Sequence, residues 1–523
     1  MNEGINPDVR KPHVGACKKN LMLNIVTKTR SAMCDRVNRR DFLRVGTLGL
    51  GGLALPDLLR ASASGGGKNN YLKDKSVVLL FLTGGPSQYE TFDPKPDGLE
   101  GFRSLNGHIP TALSGVRFAS YLPKLAKLAD RLSVVRSFKT HHAEHSGACK
   151  QFLTADLTAQ DGKPTNEPSL TSIYSRAAGA INPATGMFRH AILPPNNRYL
   201  KGVSSFSGSF EAAVEGSMPA GLGNSHSPFP FLVKMPDQDP STGTKKKSDK
   251  QEDAVNPLLE NLELHLSNDR LTDRQSLLRE LDRLNRGLDA DGAMEGMDAY
   301  GTQALELLRS GSVRKALDLS LEDKKTFASY DTEHFRNWSC NDQFLFERDK
   351  PSIGISLGRQ MLMARRLCEA GCGFVTVISG NWDFHARKGI PNMPEGMSVL
   401  GPPLDHAVSA FLEDVEQRGL SNKILLVVTG EFGRSGLDKN LGRHHHPKIC
   451  PLVFAGGGLK HGQVIGQSNE RGSEPASDPY VIDDFHATMM HYQFDVNQMR
   501  LDDSISRVVL DRAQRGRPIA ELF

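Results

Sequence analysis

The stretch Ser76-Val77-Val78-Leu79-Leu80-Phe81-Leu82-Thr83, followed at once by Gly84-Gly85-Pro86, decides how the rest of the chain is read. Eight uncharged, mostly apolar residues closed by a glycine turn describe a strand buried on both faces and its exit loop. Gly373 to Ser379 (GFVTVIS) and Lys423 to Thr429 (KILLVVT) repeat the pattern, and the shorter Leu132 to Val135 and Pro451 to Phe454 follow it. Helical spacing separates these runs, most clearly over Gly358 to Ala370 and Asp483 to Tyr492. Strands alternating with helices predict an α/β fold, a doubly wound and mostly parallel sheet with helices on both faces. In such sheets the chemistry gathers at the carboxyl ends of the strands.

Working outward from the sheet, the amino terminus reads as an address. Asn38-Arg39-Arg40-Asp41-Phe42-Leu43-Arg44 precedes an uncharged Gly/Leu run from Val45 to Leu55, and Ala61-Ser62-Ala63 offers a cleavage site. That is the order of a secretory signal, and the paired arginines make it look like a twin-arginine signal. The apolar run is too short to span a membrane, so no transmembrane anchor is expected in the mature chain. Residues 1–63 carry eleven Lys/Arg against five Asp/Glu, so removing them takes the net charge from +4 to near −2. A near-neutral mature protein has no electrostatic footprint for nucleic acid. Residues 70–523 are expected to form one α/β domain. It is interrupted by a polar linker at 236–253, around Lys245-Lys246-Lys247, and by a helical insertion at 256–330 rich in Leu, Arg, Glu and Asp. The seven cysteines show no repeated spacing and form no disulfide framework; Cys368 and Cys372, one helical turn apart in an apolar run, read as buried small hydrophobes, with a zinc pair as the alternative.

Four stretches place metal-competent side chains just beyond the predicted strands. In Gly84 to Pro94 (GGPSQYETFDP) the glycines let backbone amides approach an oxyanion, and Glu90 and Asp93 are candidate ligands for a hard cation. His141-His142-Ala143-Glu144-His145-Ser146-Gly147 opens a helix that runs through Thr154. Its amino terminus favours an anion, Ser146 or His145 is a candidate nucleophile, and His141 or His142 a candidate proton carrier. In Asn381-Trp382-Asp383-Phe384-His385, extended alternation puts Asp383 and His385 on one face, as two ligands of one metal or as partners of each other. Glu431 and Arg434 follow the apolar run ending at Thr429, and Gly442-Arg443-His444-His445-His446 precedes Pro451 to Phe454. Arg434 is a candidate clamp on an anion, or a structural ion-pair partner.

These residues make the chain resemble the exported bacterial family called domain of unknown function 1501. The resemblance lies in GGPSQYETFDPKP (84–96), EHSGACKQFLTA (144–155), GNWDFHA (380–386), TGEFGRS (429–435), FAGGGLKHGQVIG (454–466) and DDFHATMMH (483–491). It implies a fold similar to alkaline phosphatases and sulfatases, whose active members hydrolyse phosphate or sulfate esters at metal centres. Carried over residue by residue, Glu431 takes the place of a metal-binding Asp while Phe432 stands where a His is expected. His445 resembles a later metal-binding His, Asp383 and His385 resemble an Asp-and-His pair, and His145 with Ser146 falls at the sulfatase nucleophile. Where the family reads GRDHW, His444 replaces the acidic residue, which shifts preference toward softer divalent metals.

The resulting expectation is a periplasmic or exported metal-dependent hydrolase of sulfate or phosphate esters. Asp383, His385, Glu431 and His445 would hold a divalent ion, helped by His444, Glu90 or Asp93. The ion would be zinc in the first place, with calcium or manganese as alternatives. Backbone amides near Gly85 and after Ser146 would bind the ester oxygens. The implied partners are a small anionic ester or a sulfated or phosphorylated glycan, and the twin-arginine export machinery. The alternative is a catalytically inactive relative that serves as a periplasmic binding protein.

Overall fold

Twelve strands run through the described residues: β1 Ser76–Leu82, β2 His108–Pro110, β3 Arg117–Ala119, β4 Leu132–Val135, β5 His190–Leu193, β6 Phe229–Pro230, β7 Phe374–Ser379, β8 Ile424–Thr429, β9 Gly433–Leu437, β10 Arg443–His446, β11 Leu452–Gly456 and β12 Gln463–Ile465. The computed structural model describes residues 71–195, 209–223, 226–230, 312–337, 352–386 and 390–523. The expected signal and the linker at 236–253 lie outside them, as does the insertion up to residue 311.

Eight strands form the central sheet in the order β12-β4-β11-β8-β1-β7-β5-β6. β1 sits in the middle, parallel to β7 on one side and β8 on the other. Its alternation shows why an unbroken apolar run is needed. Val78, Leu80 and Leu82 join one core with the helices Ser352–Glu369 and Met393–Gln417. Val77, Leu79 and Phe81 join the other with His145–Thr154, Leu170–Ala178 and Ile482–Gln493. Both faces are dry because both are covered by helices.

β11 departs from the parallel pattern and runs antiparallel to both β4 and β8. The chain leaves β8 through the short β9–β10 hairpin rather than a crossover helix, so it re-enters the sheet from the same edge. The hairpin therefore stays at the carboxyl end of β8, beside the carboxyl ends of β1 and β7. Three chain segments that carry polar residues converge there.

The helix Met393–Gln417 has no counterpart in the sequence reading. Asn392 Oδ1 accepts from the Glu395 amide at 3.0 Å and Glu395 Oε2 from the Asn392 amide at 3.2 Å, a reciprocal cap that fixes its start. It continues through Pro402 and Pro403 because its buried face holds it against the helix Ser352–Glu369. Four free cysteines, Cys149, Cys368, Cys372 and Cys450, are buried in the described residues, and burial pushes the Cys372 and Cys450 thiols up to about 12. They pack as small apolar groups. Among the described residues no helix is long and apolar enough to cross a membrane.

Candidate metal centre

Three turns build the site. The first follows β1. Gly84 and Gly85 both have positive φ, +111° and +76°. A Cβ on Gly84 would lie 2.6 Å from the Trp382 nitrogen, and one on Gly85 would lie 2.4 Å from the Phe432 ring. These glycines thus admit the protein's own backbone and side chain, where the sequence pattern suggests a ligand. The Gly84 amide donates to Glu431 Oε1 at 2.7 Å. The amides near Gly85 are in part committed inside the protein.

The second turn follows β7 and carries Asp383. Its carboxylate gathers four cations or imidazoles. Arg434 Nη2 lies 2.6 Å from Oδ1 and His445 Nε2 lies 3.3 Å from the same oxygen. His385 Nε2 is 3.0 Å and His145 Nε2 3.3 Å from Oδ2. Burial works to raise the Asp383 pKa, but the Arg434 guanidinium and the three imidazoles outweigh it and hold the carboxyl well below the usual range. Asp383 is an anion at every physiological pH.

The third is the β9–β10 hairpin. His445 pairs with Arg434 and Arg443 with Leu437, so two residues of β9 face one of β10 in a bulge. Strand alternation turns Arg443 and His445 inward and His444 outward. His445 donates from Nδ1 to the Ala143 carbonyl at 2.7 Å, which leaves Nε2 toward Asp383. His444 instead faces Asp438, 3.3 Å away and half-exposed, so it is no part of the centre.

His145 opens the helix His145–Thr154. Its Nδ1 is 2.8 Å from Glu431 Oε1, and its ring lies edge-on to His445 with centroids 4.2 Å apart. Burial alone would lower its pKa; hydrogen bonds to Asp383 and Glu431 outweigh that and raise it to about 9. His145, Asp383 and His445 offer ligand atoms that all lie within 4.8 Å of one another. His385 Nδ1 and Glu431 Oε2 are buried without a hydrogen-bond partner, and His145 Nε2, also buried, has only the 3.3 Å approach of Asp383 Oδ2. An orphaned imidazole nitrogen and carboxylate oxygen beside such a trio fit a cation.

Several sequence candidates fall elsewhere. Glu90 is fully buried under Arg443, with Nη2 3.1 Å from Oε1, and it also accepts from Ser104 Oγ at 2.7 Å. Asp93 is held by Arg136 and Lys95, each at 3.4 Å, and by the Ser468 hydroxyl. Neither carboxylate has an oxygen free for a metal. His142 Nδ1 accepts from the Glu144 amide at 3.0 Å and closes a local turn. Ser146 follows His145 in the first helical turn and is half-buried, but the next amide, that of Gly147, donates to Asp161 Oδ1 at 2.5 Å.

Arg434 also departs from its expected role as an anion clamp. It is fully buried, and every guanidinium nitrogen is engaged. Nε donates to the Gly85 carbonyl at 2.7 Å and Nη1 to the Arg443 carbonyl at 2.8 Å. Nη2 donates to the Gly84 carbonyl, to Trp382 O at 3.3 Å and to Asp383. Each nitrogen already has a partner within the protein and the side chain is fully buried, so Arg434 ties the three site-building turns together.

The chain belongs to the family described as "Protein of unknown function (DUF1501)", whose model matches residues 74–504. No curated protein matches the sequence. Among solved structures it is similar to the phosphonate monoester hydrolase SpPMH from Silicibacter pomeroyi, at 11% identity over 85% of this chain and 76% of that one, with a TM-score of 0.31. It is similar to the PsFucS1 sulfatase from Pseudoalteromonas sp., at 11% identity over 89% and 76%, TM-score 0.35. The C-terminal periplasmic domain of EcEptC from Escherichia coli is similar at 10% identity over 84% and 90%, TM-score 0.32. Likenesses this loose leave the functional reading to the site itself.

Proposed function

We propose that the protein is an exported hydrolase of sulfate or phosphate esters that works with a divalent metal held by His145, Asp383 and His445. The observation that carries this reading is the way the two imidazoles are turned. Each has Nδ1 on an oxygen acceptor, Glu431 Oε1 for His145 and the Ala143 carbonyl for His445, and each points Nε2 at Asp383. In its neutral form an imidazole that donates from Nδ1 carries its lone pair on Nε2, the form a metal takes, and a metal binding there would displace the Nε2 proton that Asp383 otherwise favours. Two imidazole nitrogens and one carboxylate suit zinc better than calcium, which prefers oxygen, with manganese between them.

A bound divalent ion would polarise an ester oxygen and favour ionisation of the attacking hydroxyl. The chain's own groups do the rest. Glu431 holds the Nδ1 proton of His145 and fixes that ring, and the Ala143 carbonyl does the same for His445. Arg434 keeps Asp383 ionised and in place. Ser146, one residue beyond His145, would supply the hydroxyl that attacks the phosphorus or sulfur, giving up its proton as the bond to the ester alcohol breaks and that alcohol leaves protonated. Water would then release phosphate or sulfate and restore the hydroxyl. The helix end at Ser146 has a dipole that favours an anionic substrate. The substrate class is a small anionic ester or a sulfated or phosphorylated glycan, met after export on a twin-arginine signal.

The test is a screen of generic sulfate and phosphate esters with zinc, manganese or calcium added. Metal-dependent turnover that disappears in Asp383→Ala and falls at least a hundredfold in Ser146→Ala supports the reading. Chain that carries stoichiometric metal and turns over no ester of either class refutes it.

A second reading, a non-catalytic binding protein, is favoured by one specific observation. Three donors suited to an oxyanion, the Gly84 amide, the Gly147 amide and Arg434, are all engaged within the protein. Capture of a partner that persists in Asp383→Ala would support this second reading against the first.

A further inference from the structure

Asp383 is the one carboxylate of the candidate trio, and its surroundings bear on how many cations the centre takes. Resting on the metal reading above, we propose that the centre binds one cation and not two, because the flanks of Asp383 and of the histidine pair are already filled by the Arg434 guanidinium and the Phe432 ring.

The first flank is electrostatic. Arg434 Nη2 lies 2.6 Å from Asp383 Oδ1, and the guanidinium is anchored by main-chain carbonyls on three segments, at Gly84 and Gly85, at Trp382 and at Arg443. It cannot swing aside without orphaning those carbonyls. A divalent ion on that side of Asp383 would meet a permanent positive charge at close range in a site with little water to screen it. Arg434 thus places a covalently attached cation against Oδ1 of Asp383.

The second flank is steric and apolar. Phe432 is fully buried, with its ring centroid 5.1 Å from that of His145 and 4.8 Å from that of His445. Gly85 closes down on it, since even a Cβ there would sit 2.4 Å from the ring. A cation beside the two imidazoles on this side would find ring carbons, where it needs lone pairs. Of the other carboxylates, Glu90 is held by Arg443 and Asp93 by Arg136 and Lys95, and Glu431 has Oε1 committed to the Gly84 amide and His145 Nδ1, with only Oε2 unpartnered. Among the described residues no other group of three His, Cys, Asp or Glu side chains converges within ligand distance.

The experiment counts cations on the full folded chain. Wild type, Asp383→Asn and His445→Gln are saturated with zinc, passed over a desalting column and assayed for metal, and a parallel Mn2+ titration is followed by electron paramagnetic resonance. Counting the ions lost in the variants removes any held by exposed histidines such as His141 or His444. The expected result is one tight zinc per chain lost in each variant, and a six-line Mn2+ spectrum of an isolated ion at saturation. Loss of two ions, or an exchange-coupled Mn2+ pair, overturns the single-cation assignment while leaving the metal reading intact. No ion lost in either variant overturns the metal reading and this assignment with it. Should Asp383→Asn fail to fold with Arg434 left unpaired, His445→Gln, at the solvent edge of the site, still gives the count.

Discussion

Replacing Arg434 by lysine keeps the charge and removes the fork, so buried carbonyls lose their donors while Asp383 keeps a cation. The guanidinium meets the carbonyls of Gly84, Gly85, Trp382 and Arg443 and the carboxylate of Asp383 from three nitrogens pointing in different directions. A lysine ammonium brings its donors to a single point. It can retain Asp383 and at most two carbonyls, and it leaves at least two buried carbonyls unpaired. At about 1–3 kcal/mol for each orphaned group, Arg434→Lys costs about 2–6 kcal/mol. Arg434→Met also strips a buried anion of its partner and adds about 3–5 kcal/mol more. Those losses approach the whole stability of a typical domain, about 5–15 kcal/mol. The assay is guanidinium denaturation followed by circular dichroism, with sulfate and phosphate binding measured on the folded protein. The expected outcome is a large drop in midpoint for lysine and a larger one for methionine. An unchanged midpoint in Arg434→Lys, together with weakened anion binding, would refute this reasoning and restore Arg434 as a substrate clamp.

Other outcomes are expected with it. Glu431→Gln weakens the hold on His145 Nδ1 and lowers metal affinity about 10–100-fold, measured by chelator competition; an unchanged affinity would show that Glu431 does not orient the ligand. Glu90→Gln leaves buried Arg443 without its counter-charge and costs about 3–5 kcal/mol, while the folded variant keeps its full metal content; loss of metal at unchanged stability would return Glu90 to the ligand set. Stability is expected to fall on acidification. Burial, aided by its neighbour His226, lowers the His190 pKa to about 3; burial and nearby Arg176 lower His226 to about 4; burial and Arg512 put His486 well below the usual value. These imidazoles stay neutral when folded but take up protons once unfolded, so stability is lost as the pH drops below about 6.5 toward 4, at about 1.4 kcal/mol per pH unit for each. Denaturation midpoints that are level between pH 7 and 5 would contradict that assignment.

The middle of the sheet was legible because β1, β4, β7, β8 and β11 are largely apolar runs, and a run such as Ser76–Leu82 has few other uses; the short outer strands β5, β6 and β12 carry no such signal. The direction of β11 was not, since Leu452–Gly456 reads the same whichever way it enters the sheet, and only the hairpin before it settles the matter. The helix Met393–Gln417 was hidden by Pro402-Pro403, whose cost is met by packing that no local pattern reports. At the site, Asp383, His145 and His445 stood out as polar groups at strand ends, and alternation along Arg443-His444-His445 could have told the inward histidine from the outward one. Glu90 and Asp93 looked equally suited to a metal. What disqualifies them is a partner far away in the chain, Arg443 for Glu90 and Ser468 for Asp93, and such pairing leaves no local trace.

Because β11 re-enters beside β8, the three proposed ligands come from distant parts of the chain, at positions 145, 383 and 445, and meet only when four strands are in register. No fragment can assemble the trio. A cation bound there would recognise the finished fold and nothing before it, and at a thousandfold excess over its dissociation constant would add about 4 kcal/mol to the native state alone. Metal uptake during refolding is therefore a clock for the last step of assembly, slow to start because the contacts that make the site are long-range.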